Sequence, residues 1–289
     1  MSKCSLKLFF TLFADDSTLT YTSPYSLNHA RKIIEKELKK VLVWLAANKL
    51  IINLNKTHLM VFTNSRRTDS EKSITITAND QTISEITETK FLGVILDNKL
   101  CWNAHIKHIL NKMSKSVAIL KILKHTFPTS ALKTIYHSLI YPYFNYCNLI
   151  WGSAASTHLE SLTLIQKKCI RIISKVGYYD HTEPLFNEQK ILTVPKIYNY
   201  NCAKFIFRCY HNNTYSNFKS KLIKNSDIHR YDTRNKNSLR KPFVRLHKFT
   251  NYFLYNGIDI WNHLPERIKI VNSINLFKIL TKKHILDPN

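Results

Sequence analysis

The stretch Leu8-Phe9-Phe10-Thr11-Leu12-Phe13-Ala14-Asp15-Asp16-Ser17-Thr18-Leu19-Thr20-Tyr21 sets two adjacent carboxylates between two runs of apolar, aromatic and β-branched residues. Flanks of this kind favour strands, and the polar Asp-Asp-Ser interruption is where the chain can turn, so the stretch predicts a β-hairpin with paired acids at its tip. Adjacent carboxylates repel. Both stay ionised most easily where a cation lies between them and a further acid brought in from elsewhere. Hard oxygen ligands suit Mg²⁺, and two such ions about 4 Å apart are the arrangement that drives in-line phosphoryl transfer. The same dipeptide also occurs as a plain solvated turn, and by itself it does not separate the two readings.

Downstream, Ser26 to Ala47 repeats apolar residues at helical spacing (Ile33, Ile34, Leu38, Val41, Leu42, Leu45), with Arg31, Lys32, Lys36, Lys39 and Lys40 on the wet side. This predicts a helix laid on a sheet and ended by Asn48. His58 to Thr63 reads as a strand, Asn64 to Ser73 as a polar loop, and Ile74–Thr77 with Thr82–Ile86 as a hairpin around Asn79-Asp80-Gln81. Thr89 to Asp97 gives a strand whose single glycine, Gly93, permits close backbone approach. From Leu100 the pattern becomes helical, with Trp102, Ile106, Ile109, Leu110, Met113, Val117 and Leu120 in one stripe. Lys107, Lys112, Lys115, Lys121 and Lys124 fall largely outside it. Further helices are predicted at Ser130–Ile140, Thr157–Val176, Pro195–His211 and Ser273–Ile285. Strands first and helices after make the fold class α+β.

The 289 residues, 44% of them hydrophobic, suffice for about two domains with a sizeable core. Lys and Arg number 43 against 19 Asp and Glu, a formal net charge of +24 that favours a polyanionic partner, nucleic acid before membrane. The acids are unevenly placed: none lies between Asp97 and Glu160, between Glu188 and Asp227, or between Asp232 and Asp259. The segment from Asn235 to Lys248 mixes Lys236, Arg240, Lys241, Arg245 and His247 with Phe243, a composition suited to RNA or DNA. No run approaches the roughly 18 apolar residues of a membrane helix, and the short apolar run before Asp15 is not an export signal. Six scattered cysteines without a Cys-x-x-Cys read as reduced, intracellular thiols rather than those of a secreted protein. Cys202, Cys209 and His211 lack metal-site spacing. His105 and His108 read as solvated or phosphate-facing residues of a helix surface.

Phe13-Ala14-Asp15-Asp16 resembles the aromatic-Ala-Asp-Asp box of reverse transcriptases, and the chain that follows keeps that family's order. Trp44, Asn48-Lys49-Leu50, Asn53, Lys56-Thr57 and Met60-x-Phe62 look like the segment after the box in non-LTR, LINE-type retrotransposons. Phe91-Leu92-Gly93 resembles the turn that grips the primer, and the basic helix after it resembles the polymerase thumb. Tyr141-Pro142-Tyr143, Trp151-Gly152, Ile165-Gln166-Lys167-Lys168-Cys169-Ile170-Arg171, Ile228 to Arg234 and Trp261-Asn262-His263-Leu264-Pro265 look like later landmarks of jockey-like elements.

The resemblance implies a partial polymerase palm of antiparallel strands plus a helix, followed by a mainly α-helical thumb and C-terminal domain. Its segments would be palm with primer grip at 1–99, thumb-like and post-thumb at 100–178, and a basic C-terminal domain at 179–289. It implies Asp15 and Asp16 as catalytic Mg²⁺ ligands and Lys56 as a group that stabilises or protonates leaving pyrophosphate. Phe91, Leu92 and Gly93 would form the primer grip. Lys107, Lys112, Lys115, Lys121, Lys124, Arg240, Lys241 and Arg245 would contact nucleic acid. RNA template, DNA primer or target and deoxynucleotides are the implied partners of the intact enzyme, in which a primer 3′-hydroxyl attacks the α-phosphate of a nucleotide, and nucleus or cytoplasm is the implied compartment. Too few residues precede Asp15 for fingers and the earlier palm strand with its metal-ligand Asp, so the expectation is a C-terminal fragment, inactive alone. Alternatives are a non-catalytic RNA- or DNA-binding remnant of a degraded element, or a truncated copy with no selected function.

Overall fold

A computed structural model describes residues 8–63, 74–78, 81–211, 216–228, 233, 235–245 and 247–287. The chain separates into two compact units, Met1–Leu100 and Cys101–Asn289.

In the first unit, β1 (Phe9–Phe13) and β2 (Asp16–Thr20) pair antiparallel, with Phe10 opposite Leu19 and Phe13 opposite Asp16. Helix α1 (Leu27–Ala47) starts where Ser26 Oγ accepts the His29 N–H, at 3.3 Å, and closes where the Asn48 side-chain amide donates to Trp44 O, at 2.8 Å. Its apolar side rests on a second hairpin, β3 (Thr75–Ala78) with β4 (Gln81–Ser84). Leu38 and Leu42 of the helix share a core with Ile76, Ala78 and Ile83, and Leu19 of β2 packs at its margin. Glu35 fastens the layers, accepting the Thr77 N–H at 3.3 Å. The third hairpin joins β5 (Glu88–Phe91) to β6 (Val94–Asp97).

Two sequence expectations are corrected here. His58–Thr63 is not a strand: its only ladder contact among the described residues is a bridge from Leu59 to Glu85, and the backbone around it is irregular. An apolar β-prone run becomes a strand only where a partner accepts its backbone groups, and the described partner is one position, Glu85, just past the end of β4. Thr89–Asp97 is not one strand but two, folded back at Leu92-Gly93, where both residues take left-handed φ values of 45° and 81°. Two successive positive φ angles are what a two-residue hairpin loop demands. The loop tip Asn79-Asp80 lies outside the described residues, as do residues 64–73 and most of 229–234.

The second unit is helical: α2 (Asn103–Leu123), α3 (Thr129–Leu139), α4 (Tyr141–Asn145), α5 (Asn148–Trp151), α6 (Ser156–Ile173), α7 (Glu183–Glu188), α8 (Val194–His211), α9 (Ser216–Lys219), α10 (Phe253–His263), α11 (Glu266–Lys269) and α12 (Ile274–Leu286). Ile106, Ile109, Met113 and Leu120 of α2 are buried, as are Leu162, Cys169 and Ile170 of α6, and the two helices pack together. A further core joins Ile206 and Phe207 of α8, Ile258 and Trp261 of α10 and Phe277 of α12, with the Phe207 and Phe277 rings stacked at 4.2 Å.

Two of the landmarks are structural clamps. Gln166, fully buried on α6, donates to Tyr136 Oη and to Leu192 O and accepts the Val194 N–H, each at 2.9 Å, so it fixes the start of α8. The Asn262 side chain brackets the Leu239 backbone, accepting its N–H at 2.9 Å and donating to its carbonyl at 2.8 Å. Among the described residues no helix is long and apolar enough to cross a membrane.

Candidate functional site

Asp15 and Asp16 stand at the tip of the first hairpin, both exposed. The turn is Ala14-Asp15, with Ala14 left-handed at φ 51°, and Asp16 already opens β2 opposite Phe13. Paired residues of an antiparallel ladder share a face. Asp16 therefore lies on the side of Phe13, Thr11 and Phe9, the side on which Phe13 and Phe9 are 61% and 71% exposed. The opposite side carries Phe10 and Leu19, the latter against the α1 core. The hairpin thus presents two carboxylates beside an uncovered apolar face. In donor type the pair suits Mg²⁺, whose ligands are hard oxygens. In number it does not: among the described residues no three of His, Cys, Asp and Glu gather as a metal site needs. The described residues alone do not build a metal centre.

Lys56 ends a short 3₁₀ turn, Leu54–Lys56, and its own N–H donates to the Asn53 side-chain oxygen at 3.3 Å. It is exposed, and no hydrogen bond or ion pair joins it to Asp15 or Asp16 among the described residues. Phe91, Leu92 and Gly93 form the tip of the β5–β6 hairpin, with Phe91 opposite Val94. Leu92 in the left-handed region is strained, since its Cβ crowds the following carbonyl.

On α2, Lys107, Lys112, Lys115 and Lys121 are exposed and lie away from the buried stripe of Ile106, Ile109, Met113 and Leu120. The helix holds no acid, so the charge on this face is all positive, although Ile119 and Ile122 are also exposed on the helix. Lys124 differs: it is half-buried and donates to Val176 O at 3.1 Å, tying the end of α2 to the segment after α6. His105 overturns its sequence reading. It is 3% exposed, set edge-on against Trp151 with ring centroids 5.7 Å apart. Burial, with the nearby His108 charge, brings its pKa down to about 4. It is a core residue, whereas His108 is only half-buried. The apolar stripe of α2 is wide enough to include the position before Ile106, which alternation of charged and apolar residues did not reveal.

Arg240 and Lys241 border a groove of about 420 Å³ shared with Asn225, Asn235 and His263. The Lys241 ammonium is paired with Asp259 at 2.7 Å and lies 4.6 Å from the Tyr255 ring, so part of its charge is already answered. Arg245 is exposed and does not line that groove.

Tyr178 and Tyr179 were missed by sequence reasoning. They are 65% and 90% exposed, edge to face at 5.1 Å, in a turn that is anything but loose. Asp180 accepts the Gly177 N–H at 2.7 Å, Arg171 donates to Asp180 O at 2.9 Å, and its guanidinium lies 5.9 Å from the Tyr178 ring. The signal available was a Tyr-Tyr pair directly after a helix-stopping Lys-Val-Gly.

No family model matches the sequence, and no solved structure matches it. Curated relatives do. The chain is 27% identical over 196 residues to the probable RNA-directed DNA polymerase from transposon X-element of Drosophila melanogaster, a match covering 65% of the chain and 20% of that protein. It is 26% identical over 191 residues to the probable RNA-directed DNA polymerase from transposon BS of the same fly, covering 65% and 21%. It is 28% identical over 188 residues to the RNA-directed DNA polymerase from its mobile element jockey, covering 64% and 20%. The chain thus spans about a fifth of the length of the curated relatives it matches. Over about 65% of its length the chain is similar in sequence to the RNA-directed DNA polymerases of jockey-like non-LTR retrotransposons, the resemblance that its motifs carry.

Proposed function

We propose that the chain is the C-terminal portion of a non-LTR reverse transcriptase, in which the helical unit holds primer and template and the first hairpin delivers carboxylates to the polymerase site. The observation that carries it is the acid-free, exposed lysine face of α2, which follows the Phe91-Leu92-Gly93 turn and β6 in the chain. Such a face binds phosphates without reading bases, as a polymerase must. In the complete enzyme Asp15, with Asp16, contributes oxygen ligands to a Mg²⁺ site whose remaining ligands come from outside the described residues. The uncovered face of Phe9 and Phe13 supports this, because it gives further palm elements a surface to pack on. Phe91, Leu92 and Gly93 seat the primer strand, and Lys56 serves the leaving pyrophosphate. The exposed Tyr178 and Tyr179 suit unpaired bases of the template.

The test is primer extension on an RNA template with Mg²⁺, run beside filter binding of the same RNA. The expected outcome is salt-sensitive binding with no extension by the 289 residues, and extension that depends on Asp15 once the chain is joined to upstream polymerase sequence. Extension by the 289 residues alone that vanishes in Asp15→Ala would overturn the fragment reading. A second reading, a non-catalytic nucleic-acid-binding remnant, is favoured by the incomplete set of metal ligands among the described residues. It requires RNA binding that Asp15→Ala leaves unchanged and no extension in any joined form.

A further inference from the structure

Lys204 and Arg208 stand four residues apart on α8, which places them on one side of the helix. Like charges so spaced repel, and here a third cation adds to them. Burial, with the charges of Arg208 and of Lys278 on α12, brings the Lys204 ammonium down to about 8. Its Nζ lies 4.5 Å from the Tyr200 ring. Among the described residues neither Lys204 nor Arg208 is paired with a carboxylate. The two border a depression of about 330 Å³ between α8 and the α4–α5 segment, and no acid lines it. Its wall carries three side-chain amides. Asn201 donates to Asn145 Oδ1 at 3.0 Å and reaches Asn148 Oδ1 at 3.4 Å. The Asn148 amide nitrogen, on a side chain 1% exposed, has no hydrogen-bond partner among the described residues.

We propose that this depression binds a phosphoryl group, with Lys204 and Arg208 as its two cationic contacts and the asparagine amides forming its polar wall. An oxyanion seated there would turn a repulsive cation cluster into a compensated one. The guanidinium offers a planar fork matched to two phosphate oxygens, and the ammonium acts as a point charge. The lysine face of α2 is a solvated stripe, whereas this is a concave site with fixed walls, and it requires neither Asp15 nor the α2 lysines. The phosphoryl group can come from a nucleic-acid backbone or from a free phosphate, and the experiment separates the two.

The full chain is treated with an amine-acetylating reagent near neutral pH, and modification of Lys204 is followed by mass spectrometry of its peptide. The treatment is run with no addition, with inorganic phosphate, and with a short single-stranded RNA, at ionic strength matched with chloride. A ligand that holds Lys204 protonated slows its acetylation, by about fivefold or more. Protection by inorganic phosphate as well as RNA supports the site with either source. Protection by RNA alone, lost in Arg208→Gln, supports it with the backbone as source. Arg208 is exposed, so that variant is expected to fold, and the phosphate arm needs no variant. Overturning results are no protection by either ligand, or RNA protection that Arg208→Gln leaves intact. RNA that binds the chain without protecting Lys204 removes this site and leaves the proposed function standing. Phosphate protection in a chain that binds no RNA does the reverse.

Discussion

Gln166 is fully buried and spends both its donors and its acceptor on three partners: the Tyr136 hydroxyl, the Leu192 carbonyl and the Val194 N–H. Gln166→Leu keeps the volume and strands two buried backbone groups, so unfolding in urea should show a loss of about 3 kcal/mol. Tyr136→Phe removes one hydroxyl from the same cluster and should lose only about 1 kcal/mol. Equal losses in the two variants would mean that the backbone bonds find other partners. In the sequence Gln166 stands out as part of a landmark, but its reason is a contact with residues 26 and 28 positions downstream, which no local pattern carries. Asp15 and Asp16 are the opposite case. Turn chemistry is local, and the hairpin was legible from a dozen residues, apart from the shift of the turn to Ala14-Asp15.

Among the elements, α1, α2, α6, α8 and α12 were legible because their apolar residues recur at helical spacing over many turns, and each lies within a few residues of its predicted bounds. The run His58–Thr63 failed for a reason of the same scale, since a strand is defined by its partner and this one has a single bridge among the described residues. Which side of α2 faces inward was legible except at His105. With its pKa lowered to about 4 from 6.5, His105 is held neutral in the folded state. The unfolded chain binds that proton more readily, so the contribution is fully present above the unfolded pKa and is lost as pH falls toward the folded one. Between pH 7.5 and pH 5 it should amount to about 2 kcal/mol. Denaturant titrations of the wild type and of His105→Phe at the two pH values check this: the variant should lose less stability on acidification by about that amount. The opposite side of the helix makes a separate prediction. Replacing Lys107, Lys112, Lys115 and Lys121 together with Gln should weaken RNA binding alike for all sequences and reduce the slope of log affinity against log salt by about 3. A variant that loses affinity for one sequence only, with the slope unchanged, would place the phosphate contacts elsewhere.

At the scale of the whole molecule, the division at Leu100 follows the change from strands to helices in the sequence, and residues 101–289 form one compact unit in which α6 and α8 pack together. Gln166 is one of the ties within it, reaching from α6 to the Leu192 carbonyl and the Val194 N–H at the start of α8. The net charge of +24 is the property most directly read from sequence, and it has a consequence for stability. Self-repulsion opposes the compact state, and it grows where cations gather without acids, as on α2 and around Lys204. Salt shortens the Debye length from about 10 Å at 0.1 M to about 3 Å at 1 M and so relieves that repulsion. It also screens ion pairs, but Arg31–Glu35 and Lys241–Asp259 are partly solvated pairs of the kind that contribute little. The repulsive term should therefore win, and the melting temperature should rise by several degrees, about 5 °C, between low and moderate sodium chloride. At equal ionic strength phosphate should raise it further than chloride, because an anion bound to the native state adds its own stabilisation to the screening. A melting temperature that falls as salt rises would show that attractive pairs outweigh the surplus of positive charge. Equal curves in phosphate and chloride would show that the basic surface is screened only as a diffuse field.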